Sequence, residues 1–196
     1  MDSTITLKPG DILTNYIHIR QRYPFGHAGL VYDAGGTPML AQVNRKGLQT
    51  VSVRNLAIGK LDDFPKKVRV FRPKRGVFPQ GLDLDDQVKN FWTARYRPVL
   101  KVAGKARFGS ESFGPEAQKQ LAKYAARSNW KGKGVYCSEF VILCIQLACV
   151  QHCNGDIATA QQERYFIQKD ANNTGPHKLA KYLMNNPNFD SLGPYA

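Results

Sequence analysis

Gly132-Lys133-Gly134-Val135-Tyr136-Cys137-Ser138-Glu139-Phe140-Val141-Ile142-Leu143-Cys144 is the stretch on which the fold turns. Its glycines make a flexible loop, and the loop runs into a helix apolar on nearly every side. That pattern belongs to a helix enclosed by a domain rather than one laid on a surface. The apolar run Phe140 to Val150 spans 11 residues with Gln146 inside it, against the roughly 20 that a membrane-spanning helix needs. A buried core helix is therefore expected, and no transmembrane span. Cys137 stands at the helix entrance, where unpaired backbone N–H groups and the helix dipole favour an anion. Its thiol is expected to lose a proton more easily than one inside the helix, and the loop glycines to leave the sulfur approachable.

The other three cysteines follow at spacings of seven, five and four, all in this helix and its exit. A tetrahedral zinc cage takes ligands from two elements, commonly as close pairs, and only Cys149 and Cys153 lie one turn apart, so no metal is expected. Residues seven apart on a straight helix are about 10 Å apart, beyond the Cα reach of a disulfide. Cys144 and Cys149 read as small buried apolar side chains. Cys137 alone is a candidate nucleophile.

Outward from this helix, the first half of the chain reads as strands. His27 to Tyr32 and Met39 to Val43 flank Asp33-Ala34-Gly35-Gly36, whose glycines suit a hairpin turn, and Leu48 to Val53 and Val68 to Phe71 continue the β-rich region. Beyond the break at Pro73 to Gly81 the period changes. Leu84, Val88, Phe91 and Trp92 fall on one helical face, with Asp83, Asp85 and Asp86 at its start, and Pro115 opens a second helix through Leu121, Tyr124 and Ala125. At 196 residues and 42% hydrophobic composition, without repeats, the chain predicts one α+β domain over residues 1–196 with a core that needs neither disulfides nor metal.

A cysteine nucleophile needs a base within hydrogen-bond reach, usually an imidazole, and a polar group that orients it. His152 lies about four turns down the same helix, roughly 20 Å away, too far to serve. His177 follows Gly175-Pro176 at the start of a C-terminal helix and reads as a surface residue. His18, in Tyr16-Ile17-His18-Ile19-Arg20, fits a helix or a strand. His27 is the best placed of the four: it opens a strand after Gly26, and Gly29 keeps its face uncluttered.

Three segments carry a family resemblance. Leu7-Lys8-Pro9-Gly10-Asp11-Ile12-Leu13, Phe25-Gly26-His27-Ala28-Gly29-Leu30-Val31 and Tyr136-Cys137-Ser138-Glu139-Phe140-Val141 resemble the circularly permuted NlpC-type papain-like cysteine amidases, closest to the YiiX-like branch and related to lecithin:retinol acyltransferase-like enzymes. In that family the histidine strand precedes the cysteine helix, as here. Thr174-Gly175-Pro176-His177-Lys178-Leu179-Ala180 is a weaker echo of the family's closing helix. The resemblance implies a permuted papain-like fold: an antiparallel sheet or partly open barrel packed against the buried helix with the nucleophile. It implies Cys137 as nucleophile, His27 as general base and Gln42 as the third residue, with Asn44 the same-face alternative. Gln42 is a departure from the carboxylate often found there. An amide can hold the imidazole tautomer but stabilises an imidazolium less than a carboxylate would. Glu139 reads as dipole compensation in the first helical turn, and Tyr136 as either pocket lining or packing.

The 28 Lys and Arg against 15 Asp and Glu give +13, and the pI is near 9.7, so an anionic partner is expected. Lys66, Lys67, Arg69, Arg72, Lys74 and Arg75 overlap an alternating segment and read as the wet face of a strand, and no finger, RNP or recognition-helix pattern turns the charge into specific nucleic-acid recognition. No cofactor is expected. The resemblance and the charge together imply an amidase or endopeptidase acting on bacterial cell-wall peptide, with peptidoglycan as the anionic polymer. Without a secretory signal in Met1 to Pro9, synthesis in the cytoplasm is expected. The family's habits suggest an antibacterial effector that a dedicated apparatus delivers to a target cell's periplasm, with a neutralising immunity protein at home. A lipid-directed acyl hydrolase or acyltransferase acting at a membrane, and a non-enzymatic binding domain, are the alternatives.

Overall fold

The computed structural model describes residues 5–15, 26–53, 68–96, 112–126 and 134–195. His18, Lys66, Lys67, Gly132 and Lys133 lie outside the described residues. A six-stranded antiparallel sheet forms the centre, built from β1 (Ile12–Asn15), β2 (Ala28–Ala34), β3 (Thr37–Asn44), β4 (Gly47–Ser52), β5 (Val68–Pro73) and β8 (Phe189–Tyr195). Its order is β4-β3-β2-β1-β5-β8, with β4 and β8 at the edges among the described residues. The short pair β6 (Arg95–Tyr96) and β7 (Gly134–Val135) is parallel. The helices are α1 (Leu84–Asn90), α2 (Pro115–Ala125), α3 (Cys137–His152), α4 (Ile157–Ala160) and α5 (Pro176–Asn185). The protein is thus mixed α and β around an antiparallel sheet, as the sequence leads one to expect.

Alternation along the strands divides the core in two. Ile12, Leu30, Ala41, Val43 and Phe71 join the cluster that contains α3, whereas Leu13, Val31, Leu40, Val68 and Val70 form a second cluster with Leu7 on the opposite face. Both faces of the central strands are therefore dry. The β2–β3 hairpin turns at Gly35 (φ 61°) and Gly36 (φ 86°), a pair of left-handed residues that matches the twist of the flanking strands, and Asp33 Oδ1 accepts the Gly36 N–H at 2.6 Å.

Residues 137–150 of α3 are all buried, and the helix packs against β2, β3, α1, α2, α4 and α5. Burying each large apolar side chain there contributes roughly 1.5–3 kcal/mol relative to exposure, which makes α3 the hub of the fold. Gln146, its one internal polar residue, donates from Nε2 to the carbonyls of Ile167 and Lys169 at 2.8 Å each. Its polarity is thereby spent on fixing the 167–169 segment.

Two expectations need correction. Trp92 does not continue the apolar face of α1, because the helix ends at Asn90 and the indole is 65% exposed, while Phe91 turns inward against Phe140. Arg72 is not part of a solvated strand face. Its Nε and Nη2 donate to Asp11 Oδ1 (2.8 Å) and Oδ2 (2.6 Å), and the Asp11 side chain is fully buried. The Lys8 N–H also donates to Asp11, so this bidentate pair ties β5 to the chain entering β1.

Candidate active site

The sequence places Cys137 as the first residue of α3, and the structure agrees. Tyr136 caps the helix with extended backbone (φ −103°, ψ 167°), and the Tyr136 N–H donates to Glu139 Oε2 at 3.3 Å. Glu139, fully buried, is therefore a helix-capping carboxylate. Both neighbours of the cysteine are tethered. The Tyr136 hydroxyl donates to the carbonyl of Ala171 at 2.6 Å, and Ser138 Oγ donates to the carbonyl of Thr174 at 2.8 Å.

Cys137 is 3% exposed, so an edge of the residue meets solvent rather than the open approach expected from the glycines. The reason is local: Tyr136 and Ser138 are themselves buried and bring the 171–174 segment alongside. Cys144 and Cys149 are sealed in the core, and burial pushes both thiols well up from their ordinary range. Cys153, at the end of α3, is half-buried, with Sγ 4.0 Å from Glu163 Oε1. Burial and then the Glu163 carboxylate raise it too.

His27 lies one residue ahead of β2, half-buried, and its carbonyl accepts the Asn15 N–H at 2.8 Å, which extends the β1–β2 ladder to it. Gln42 is buried in β3 and pairs across the sheet with Gly29. Because Gly29 has no side chain, the Gln42 amide can reach along β2 to the position two residues earlier. His27 Nε2 and Gln42 Oε1 are 2.8 Å apart. With the amide oxygen accepting, Nε2 carries the proton and the lone pair of a neutral ring sits on Nδ1. Asn44, the same-face alternative, instead has its Oδ1 turned to the Lys46 N–H at 2.8 Å in the β3–β4 turn.

Gly26 explains how this strand entry meets the helices. A Cβ there would stand 2.8 Å from the Asn15 carbonyl oxygen, 3.0 Å from Pro176 Cβ and 3.8 Å from the His177 nitrogen. Only glycine admits so close an approach. The segment 171–176 thus touches both residues flanking Cys137 and the residue preceding His27. It also places His177, in the first turn of α5, half-buried beside Gly26 rather than out on the surface as the sequence suggested. No local signal in the sequence marks that neighbour, since the contact joins positions 26 and 177. His152 is exposed at the far end of α3. Thr14 and Thr174, on β1 and at the entry to α5, are buried with hydroxyls that make no hydrogen bond to the protein among the described residues.

Neither a protein-family model nor a curated protein matches this chain.

Proposed function

We propose that the protein is a cysteine hydrolase of the permuted papain-like kind, an amidase or endopeptidase that cleaves bacterial cell-wall peptide. The observation that carries the reading is the 2.8 Å contact between His27 Nε2 and Gln42 Oε1, because it holds the ring in the tautomer whose Nδ1 can act as a base. A cysteine at the first turn of a buried helix, and a segment that touches both the cysteine's neighbours and the histidine's, are the companion support.

In this reading Nδ1 of His27 takes the thiol proton of Cys137. The sulfur attacks the scissile carbonyl, and the first-turn N–H groups of α3 stabilise the oxyanion. The imidazolium passes its proton to the leaving amine, which departs and leaves a thioester on Cys137. His27 then activates a water that releases the acid and regenerates the thiol. Gln42 takes no proton, and its amide keeps the ring oriented. The narrow exposure of Cys137 suits a substrate arm that threads toward the sulfur. The charge of +13 favours an anionic polymer such as peptidoglycan, and an immunity protein that covered this corner would silence the enzyme in a producing cell.

The test is incubation of wild-type and Cys137→Ala protein with purified sacculi and, separately, with phospholipid vesicles, followed by mass analysis. New amine and carboxyl termini in wall peptide, from the wild type alone, are expected. Fatty-acid release from vesicles with intact sacculi would overturn the peptide substrate, and silence on both would overturn the hydrolase.

A further inference from the structure

Helix α5 presents a second feature that the Cys137 corner does not use. Lys178, Lys181, Tyr182 and Asn185 recur at i, i+3, i+4 and i+7, one stripe of the helix, while Leu179, Ala180 and Leu183 face the core. That stripe forms one wall of a groove of about 760 Å³, within the roughly 300–1,000 Å³ range of ligand sites, whose other wall is the chain around 161–169. The groove begins one residue beyond His177 and follows α5 for about 10 Å at 1.5 Å per residue, away from the strand entry that holds His27.

Its chemistry is specific. Six lining residues are Asn or Gln; the side chains of Gln161, Gln168, Asn185, Asn186 and Asn188 already bond within the protein, which fixes their amides, and each amide has more donor and acceptor sites than those bonds use, so hydroxyl and acetamido groups can still be met. Four are cationic, Arg164, Lys169, Lys178 and Lys181, against one carboxylate, Glu163. The Glu163 oxygen lies toward the Cys153 sulfur, so the net charge of the lining is +3 and the acid is engaged elsewhere. Tyr182 is held in place: its oxygen accepts from the Gln168 N–H at 3.1 Å and from Asn186 Nδ2 at 3.0 Å, while Lys169 Nζ stands 5.6 Å over its ring. Both lone pairs are then occupied, and the hydroxyl proton remains to donate to an acceptor in the groove. Burial raises the phenol's pKa, so it keeps that proton at neutral pH.

We propose that this groove binds a stretch of carboxylate-bearing, hydroxyl-rich polysaccharide and so holds the glycan strand of a polymer whose peptide branch is presented to the Cys137 corner. The unused amide sites and the Tyr182 hydroxyl, set among the four cations, favour a hydroxyl-bearing glycan over a polyphosphate backbone. The idea rests on the wall-directed reading for the identity of the polymer, but binding is measured without turnover.

The experiment uses the full-length Cys137→Ala protein and glycan strands stripped of their stem peptides, which leaves free lactyl carboxylates, with affinity read by thermophoresis at two salt concentrations. Lys181→Glu, and independently Arg164→Glu on the opposite wall, are each expected to weaken binding about tenfold at an unchanged melting temperature, as reversal of an exposed charge facing an anion implies. Tyr182→Phe should weaken it about threefold, the loss of one hydrogen bond. The proposal is overturned if both charge reversals bind as the parent does, if neutral chitin oligomers bind as tightly, or if a single-stranded oligonucleotide of equal charge binds more tightly. Glycan binding that persists while wild-type protein leaves sacculi uncut would sink the hydrolase and leave the groove standing.

Discussion

Replacing Gln42 by leucine removes a polar contact of the candidate base, that between the amide oxygen and His27 Nε2. Leucine approximates the volume of glutamine and Gln42 is 4% exposed, so packing in β3 is largely conserved and little else changes. What disappears is the acceptor 2.8 Å from His27 Nε2. A fully buried donor left without its partner costs about 1–3 kcal/mol, the upper bound for half-buried His27. The ring can avoid that cost by rotating or by switching tautomer, and in the proposed mechanism either response takes the basic lone pair of Nδ1 away from the thiol. At 1.36 kcal/mol per tenfold, the expected fall in kcat/KM is roughly five- to 150-fold. Peptide release from sacculi, measured with the melting temperature as a control on folding, reads this directly. Gln42→Glu supplies the opposite sign. A carboxylate there favours the imidazolium and raises the histidine pKa, and since the neutral ring is the base, the acidic limb of the pH–rate profile should move upward by about one unit. Unchanged kcat/KM in Gln42→Leu at an unchanged melting temperature would refute the orienting role, and with it the choice of Nδ1 as the base.

Four further expectations follow from particular contacts. Gly26→Ala places a methyl group 2.8 Å from the Asn15 carbonyl oxygen and 3.0 Å from Pro176 Cβ, so overpacking should cost about 1–3 kcal/mol in chemical denaturation and lower activity by shifting His27. Arg72→Leu leaves the buried Asp11 carboxylate without its ion pair, an expected loss of about 3 kcal/mol and of roughly 6–12 °C in thermal melting. Gln146→Leu strips the carbonyls of Ile167 and Lys169 of their donor, for which a loss of about 2 kcal/mol in denaturant titration is expected. Iodoacetamide at pH 7 should modify Cys137 before any other thiol, and the preference should vanish in His27→Ala. Peptide mapping that finds Cys144 or Cys149 modified first would contradict the burial that keeps those thiols protonated.

Much of the frame was legible because it is local. The Gly35-Gly36 turn, the Asp83 cap of α1, whose side chain accepts the Asp85 and Asp86 N–H groups, and the unbroken apolarity of α3 each announce themselves within a few residues. Strand β8 does not. Phe189-Asp190-Ser191-Leu192-Gly193-Pro194-Tyr195 contains a left-handed glycine and a proline, which propensity assigns to a loop. It is a strand because it lies at the sheet edge, pairing only with β5 among the described residues, across an irregular register between Arg69 and Phe71. Trp92 failed for a related reason, since periodicity gave no sign that α1 would stop two residues short of it. Within the site, the sequence preferred Gln42 with Asn44 as the alternative; in the structure Gln42 meets His27 and Asn44 accepts the Lys46 N–H, while the position of His177 depends on a contact spanning 151 residues. The groove along α5 drew no notice either, because its two walls come from separate segments that look merely polar.

A cysteine mounted on the central strut of a domain cannot loosen by itself. The residues behind Cys137 pack against two central strands and the four other helices, so fraying of the periphery alone should not release the sulfur. Inactivation by heat ought therefore to coincide with global melting rather than precede it. The exposed side chains of α5, Lys178, Lys181 and Asn185, lie outside that packing and could meanwhile be exchanged at little cost to the core.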